Sequence, residues 1–169
     1  MNKFPENISL KTCEGGEFNL SEFAGRNDCV IVIYPKMGQS GKTLPCELNS
    51  RAGMTGCTPQ NLAYAALAGE FAALGYEVIA VGTHESLAAQ AEFKASVGAP
   101  YTFLNDDGFA LRAALNLPTF RAGDGREFYF RRTIIVKNGA IIANYEVSEP
   151  ENDAANALNF VRDYREGHF

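Results

Sequence analysis

The chain has 169 residues, 46% hydrophobic and 21% charged, with a net charge of −5. These are globular values for a length that can bury a substantial core, so one compact domain over residues 1–169 is expected. The acidic balance, with basic residues clustering no further than Arg131-Arg132, argues against a nucleic-acid or anionic-membrane surface. No apolar run reaches the length of a membrane span, and Met1–Pro5 lacks the apolar segment of a secretory leader, so a cytoplasmic protein is expected.

Ile8 to Leu20 alternates loosely around Glu14-Gly15-Gly16 and predicts a small hairpin, followed by one helical turn over Ser21–Gly25. Cys29–Tyr34 is a continuous apolar, mostly β-branched run closed by Pro35, the pattern of a buried central strand. Lys36 to Gly53 has no period and reads as a long loop, a feature uncommon in compact domains unless it is functional. Thr55-Gly56-Cys57-Thr58-Pro59-Gln60 then opens a helix. Its expected apolar face carries Leu62, Leu67, Phe71 and Leu74, and Gly75 ends it. Glu77–Val81 is a second buried strand, and Ser86 caps a helix running to about Val97. A short strand over Tyr101–Leu104 leads through Asp106-Asp107-Gly108 into a helix over Phe109–Leu115. Glu127–Val136 and Ala140–Val147 flank Lys137-Asn138-Gly139, a strong hairpin signal. Asn152 or Asp153 opens a last amphipathic helix with Ala157, Leu158 and Val161 on its apolar side. Strands joined through helices imply a parallel centre, and the hairpin adds antiparallel strands. The order predicts an α/β fold, a mixed central sheet flanked by helices. It is compatible with a thioredoxin-like core carrying an N-terminal hairpin extension.

Four cysteines (Cys13, Cys29, Cys46 and Cys57) are spread without a Cys-x-x-Cys pair, and His84 and His168 lie far from them in sequence. Zinc-site spacing is absent, and reduced thiols are expected. With Thr55 as N-cap, Cys57 falls in a first helical turn, where free backbone N–H groups and the helix dipole favour an anion. The thiolate is the nucleophilic form of a cysteine. The alternative is that Cys57 simply packs as a small apolar residue.

Three constellations compete for the chemistry. Gly38–Thr43 ends in Gly-Lys-Thr after a strand. A phosphate-binding loop, however, needs glycine where Lys36 stands and a helix where Pro45 falls. A Cys-His-Asp hydrolase would join Cys57, His84 and Asp106 or Asp107, but Gly56-Cys57-Thr58-Pro59 lacks the second small residue of a nucleophile turn. The third joins Cys57 to Arg131. Along the expected strand, Arg131 and Arg132 point to opposite faces, so one can serve a site while the other meets water. An arginine beside Cys57 would hold a thiolate and stabilise charge on a leaving oxygen.

With these residues the whole chain resembles the peroxiredoxins of the alkyl-hydroperoxide-reductase/thiol-specific-antioxidant superfamily, closest to the bacterial Q-type (bacterioferritin-comigratory) group. The resemblance rests on Ile8–Gly25, Val30–Lys36, Gly56–Gln60, Glu77–Phe93 and Arg131–Gly139. It implies that Cys57 is the peroxidatic cysteine and Arg131 the active-site arginine, with the Thr55 hydroxyl and the Cys57 and Thr58 backbone N–H groups as further donors. Pro35, Thr58 and Gln60 are the implied substrate-side positions. It implies no metal and no organic cofactor. A peroxide is the implied substrate, and the reductant is thioredoxin, glutaredoxin or a small thiol. The implied assembly is a monomer or homodimer. The chain departs from the family pattern at Ser50 and Met54, where proline and threonine are expected, and at Leu62, where many Q-type members carry a resolving cysteine. Thr43-Leu44-Pro45-Cys46 imitates part of the motif, but an apolar helix follows Cys57 and none follows Cys46. The candidates for the resolving step are Cys46 and an external thiol, with Cys13 and Cys29 as the remaining alternatives. A non-enzymatic redox sensor or interaction domain on the same fold is the alternative function.

Overall fold

A computed structural model describes residues 2–35, 57–83, 86–121, 123 and 125–166. The loop expected at 36–53, with Cys46, and the residues Thr55, His84 and His168 lie outside the described residues. The strands are β1 (Asn2–Lys3), β2 (Ser9–Thr12), β3 (Glu17–Asn19), β4 (Asp28–Ile33), β5 (Tyr76–Gly82), β6 (Thr102–Asn105), β7 (Thr119–Arg121), β8 (Glu127–Tyr129), β9 (Arg132–Lys137) and β10 (Ala140–Glu146). The described helices are α1 (Leu20–Arg26), α2 (Cys57–Ala73), α3 (Leu87–Val97), α4 (Ala110–Leu115) and α5 (Pro150–Glu166).

Eight strands form one mixed sheet in the order β1-β10-β9-β4-β5-β6-β2-β3, and β7 pairs with β8 in a separate ribbon. The centre is parallel, β4 against β5 and β5 against β6, because α2 and α3 carry the chain back between those strands. The β9–β10 hairpin attaches antiparallel to β4. It turns at Asn138 and Gly139, whose φ angles of 53° and 76° are the pair of left-handed conformations that Asn-Gly adopts at low cost. The N-terminal β2–β3 hairpin joins the far edge through β6. This is the thioredoxin-like arrangement expected from the element order, with the hairpin extension in place.

Side-chain alternation along the central strands divides the core into two layers. Val30, Val32, Tyr34, Val78, Ala80 and Ile135 face α2, α3 and α5 and pack with Tyr64, Phe71, Phe93, Ala157 and Val161. Cys29, Ile31, Ile33, Ile79, Val81, Ile134 and Val136 face the other way, against Leu20 and Ala24 of α1 and Leu111 of α4. The cap signals locate α3 well. Ser86 Oγ accepts the Ala89 N–H at 3.1 Å, and Gly98 closes the helix at a φ of 65°.

Two expectations are corrected. The strand expected over Glu127–Val136 is two strands, with Phe130 and Arg131 in the break between the ribbon and the main sheet. The expected apolar face of α2 also fails at its start. Leu62 is 47% exposed, whereas Gln60, Asn61, Tyr64 and Phe71 are buried. An alanine-rich helix presents small apolar groups on every side, so its period is weak. The buried face carries Tyr64 and Phe71 into the core and, at its start, Gln60 and Asn61, whose amides find hydrogen-bond partners there.

Candidate active site

The first residue of α2 is Cys57, which the turn leaves half-buried. No acidic residue occupies that first turn, so nothing there opposes negative charge at the helix start. Asn61 secures the turn. Its Nδ2 donates to the Cys57 carbonyl at 2.9 Å, while its own Oδ1 accepts the Tyr101 hydroxyl at 2.8 Å. Tyr101 stands just before β6, and its hydroxyl, 2.8 Å from Asn61 Oδ1 and 3.1 Å from the Asn61 carbonyl, ties the helix start to a residue 40 positions away.

Arg131 reaches Cys57 from the break before β9. Thr133 and Ile135 point toward the α2 side, and the two-residue period carries Arg131 onto the same side. Its side chain is 1% exposed, its Nη2 donates to the Cys57 sulfur at 3.2 Å, and its Nη1 donates to Gln60 Oε1 at 2.6 Å. A guanidinium carries its donors in a fixed fork, so one arm on Gln60 fixes where the other arm lies. Arg132 points away, with its Nε donating to Asn144 Oδ1 on the outer side of the hairpin. The structure therefore separates the two arginines as alternation predicts and brings Arg131 to Cys57.

Gln60 is fully buried, and its Nε2 donates to Asp153 Oδ2 at 3.1 Å. The same carboxylate accepts the Tyr64 hydroxyl at 2.7 Å and the Thr133 hydroxyl at 2.6 Å on Oδ2, and the Tyr145 hydroxyl at 2.9 Å on Oδ1. Thr133 and Tyr145 face each other across the β9–β10 ladder, so one register brings both hydroxyls to the first turn of α5. Burial, together with the Asp153 charge, pushes the Tyr64 and Tyr145 phenols far above their ordinary range, which keeps both as hydrogen-bond donors.

The other expected positions fall as follows. Thr58 is exposed beside Cys57, and Pro35 is buried two residues past β4. Asp106, one of the two acids named for the hydrolase alternative, is occupied at a helix start. Its carboxylate accepts the Ala110 and Leu111 N–H groups and the Tyr129 hydroxyl. Cys13 and Cys29 are buried free thiols. Burial, helped by the Glu14 side chain, pushes Cys13 up to about 11, and burial pushes Cys29 up to about 12. Among the described residues, no group of three His, Cys, Asp or Glu side chains could hold a metal ion. No described helix is long and apolar enough to cross a membrane. Asn61, Tyr64, Tyr101, Thr133, Tyr145 and Asp153 were not expected at the site. The signals available for them were the polar pair Gln60-Asn61 on a helix face that should be apolar and the position of Thr133 in phase with Arg131.

Comparison with known proteins bears on the fold and the family. The chloroplastic peroxiredoxin Q of Suaeda salsa is 29% identical over 161 residues, covering 94% of this chain and 65% of that protein. Its counterpart from Oryza sativa subsp. japonica is 28% identical over 159 residues, covering 92% and 64%. The chain thus spans just under two thirds of the length of these curated relatives. Among solved structures, a cysteine-to-serine mutant of Xylella fastidiosa PrxQ superposes with a TM-score of 0.76 at 17% identity, covering 98% of this chain and 94% of that one. The bacterioferritin comigratory protein of Xanthomonas campestris, described for its alkyl peroxide reduction activity, superposes with a TM-score of 0.72 at 20% identity, covering 93% and 91%. At these identities the structural likeness establishes the fold. The Redoxin family model matches residues 1–159, and the chain belongs to the Redoxin family.

Proposed function

We propose that this protein is a thiol peroxidase, a peroxiredoxin of the Q type, with Cys57 as the reacting thiol. The observation that carries this reading is the Arg131 guanidinium 3.2 Å from the Cys57 sulfur at a helix N-terminus. Both features put hydrogen-bond donors and positive charge where a reacting sulfur and a leaving oxygen would carry negative charge. The sulfur takes the terminal oxygen of a hydroperoxide, the O–O bond breaks, and the remaining oxygen leaves as water or an alcohol once protonated. Cys57 is oxidised by two electrons to a sulfenic acid. Arg131 holds the thiolate and the charge that builds on the leaving oxygen, and the Cys57 and Thr58 backbone N–H groups and the Thr55 hydroxyl complete the donor set. A thiol then condenses with the sulfenic acid, releasing water and forming a disulfide that a further thiol reduces.

The attacking thiol in that second step is Cys46 or an external one. Cys13 and Cys29 are buried in the two core layers and held as protonated thiols. The substrates are hydrogen peroxide and small organic hydroperoxides, and the reducing partner is thioredoxin, glutaredoxin or a low-molecular-weight thiol. The proposed setting is cytoplasmic, as a monomer or homodimer.

Peroxide consumption coupled in turn to thioredoxin, glutaredoxin and glutathione systems tests the function. Sustained turnover with at least one system is expected. A single oxidation with no turnover in any system identifies a redox sensor instead. One equivalent of peroxide followed by peptide mapping without reductant decides the resolving step. A Cys46–Cys57 disulfide marks a two-cysteine enzyme, and persistent sulfenic acid at Cys57 a one-cysteine enzyme.

A further inference from the structure

We propose that Asp153 is a positioning residue for peroxide reduction, setting the direction in which the Gln60 amide points and through it the placement of Arg131 on the Cys57 sulfur. This inference deepens the peroxidase reading and rests on it.

Asp153 is 2% exposed, and four donors converge on its two oxygens: Gln60 Nε2, the Tyr64 and Thr133 hydroxyls, and the Tyr145 hydroxyl. A carboxylate in that setting offers only lone pairs. The Gln60 amide must therefore turn its NH₂ to Asp153 and its carbonyl to Arg131, where Oε1 accepts Nη1 at 2.6 Å. With the amide reversed, an NH₂ would face the guanidinium and a carbonyl would face the carboxylate, two repulsive contacts in a water-excluded space. The sense of the amide anchors one arm of the Arg131 fork, and the other arm then falls on the sulfur at 3.2 Å. Arg131 is almost fully buried, so its placement is set by such partners rather than by water. The hydrogen bonds of Asp153 go to Gln60, Tyr64, Thr133 and Tyr145 and not to Cys57. It acts through Gln60 and Arg131.

The relay has a reciprocal form that a purely structural role lacks. Asp153→Asn replaces a group that only accepts with one that can present either an oxygen or an NH₂ to Gln60, so the sense of the Gln60 amide is no longer compelled. Gln60→Glu alone sets two carboxylates against each other. In the double variant the new amide at position 153 can donate to the new carboxylate at position 60, which still accepts Arg131, so the order of donors and acceptors is rebuilt with the charge moved one place.

The test is the second-order rate constant for Cys57 oxidation by hydrogen peroxide in single turnover, read by quenching and mapping the Cys57 peptide. Melting temperature is measured in parallel for each variant. The unmodified protein is measured first. If its Cys57 does not oxidise, the peroxidase reading fails by itself. Asp153→Asn and Gln60→Glu should each slow oxidation about tenfold to a hundredfold, the scale of a displaced reacting group. The double variant should recover to within a few-fold of the unmodified protein. An unchanged rate in Asp153→Asn, or a double variant as slow as the singles, overturns the proposal. Should Asp153→Asn fail to fold, Gln60→Met carries the test, since it keeps the carboxylate and its three hydroxyl donors. A loss of tenfold or more supports the relay, and an unchanged rate overturns it.

Discussion

Among the described residues, each face of the central sheet buries one aspartate that accepts several hydrogen bonds, and the two have different partners. Asp106 lies with the layer of Tyr129 and Leu111. Two of its three donors are backbone N–H groups at the start of the adjoining helix, Ala110 at 2.7 Å and Leu111 at 3.0 Å. Its third donor, the Tyr129 hydroxyl, accepts in turn from the Arg112 N–H at 2.8 Å, which closes the cap. On the opposite face all four donors to Asp153 are side chains, and one of them leads through Gln60 and Arg131 to a thiol. A buried carboxylate bonded mainly to backbone fixes a helix. One bonded only to side chains fixes the orientation of those side chains, and on this face they lead to the Cys57 thiol.

Breaking each face should have different consequences. The largest effect is expected at Cys57→Ser, which should abolish peroxide turnover while leaving the melting temperature nearly unchanged, because a hydroxyl is a far weaker nucleophile at neutral pH. Full activity in Cys57→Ser, with loss in Cys46→Ser, would move the reacting thiol to Cys46. On the other face, Asp106→Ala should lower stability by about 2–4 kcal/mol in urea unfolding, since it removes a cap and leaves a buried hydroxyl short of an acceptor. Its rate of Cys57 oxidation per folded molecule should stay within about twofold. A selective loss of rate with stability intact would mean that the two faces are not independent.

The cysteines sharpen the same contrast. Iodoacetamide at pH 8 should label Cys57 in the native protein and reach Cys13 and Cys29 only in denaturant, because the latter two thiols are raised to about 11 and about 12. Both values lie above the ordinary 9.0, so the folded state favours the protonated forms. Their contribution to stability is fully present below pH 9.0 and is lost as pH rises through about 11 and then about 12. Urea midpoints that fall between pH 7 and 8 through these two groups would contradict their placement. The smallest effect is expected at Leu62→Ser, within about 0.5 kcal/mol for an exposed position. Phe71→Ala on the buried side of the same helix should cost about 3–5 kcal/mol. Comparable losses for the two would restore the apolar face that the sequence suggested.

The fold was legible where its determinants are local. Cys29–Tyr34 and Glu77–Val81 are runs that suit only strands buried on both faces, and they are β4 and β5. Ser86 and Gly98 bracket α3 because a cap bonds within three residues of itself. Two-residue β1 carries too short a pattern to announce itself, and it exists because β10 offers it an edge. Much of the site was hidden for the opposite reason. Cys57 and Arg131 could be paired on chemistry and alternation, but the carboxylate behind them joins residues 93, 89, 20 and 8 positions away. Asp153 reads in sequence as one of two candidates to open the last helix. Nothing local marks Tyr64 or Tyr145 as belonging to a site. Only the crossing of α2, α5 and the β9–β10 hairpin gives them a common purpose.

The claim that Arg131 activates Cys57 is tested most directly by stopped-flow oxidation of the reduced protein with hydrogen peroxide, comparing Arg131→Ala with Arg132→Ala. Removal of one charge-stabilising donor should slow Arg131→Ala by on the order of a hundredfold or more. Arg132→Ala, whose guanidinium bonds Asn144 away from the sulfur, should stay within about twofold of the unmodified protein. Equal and small losses in the two variants would contradict the assignment of Arg131 to the reacting thiol.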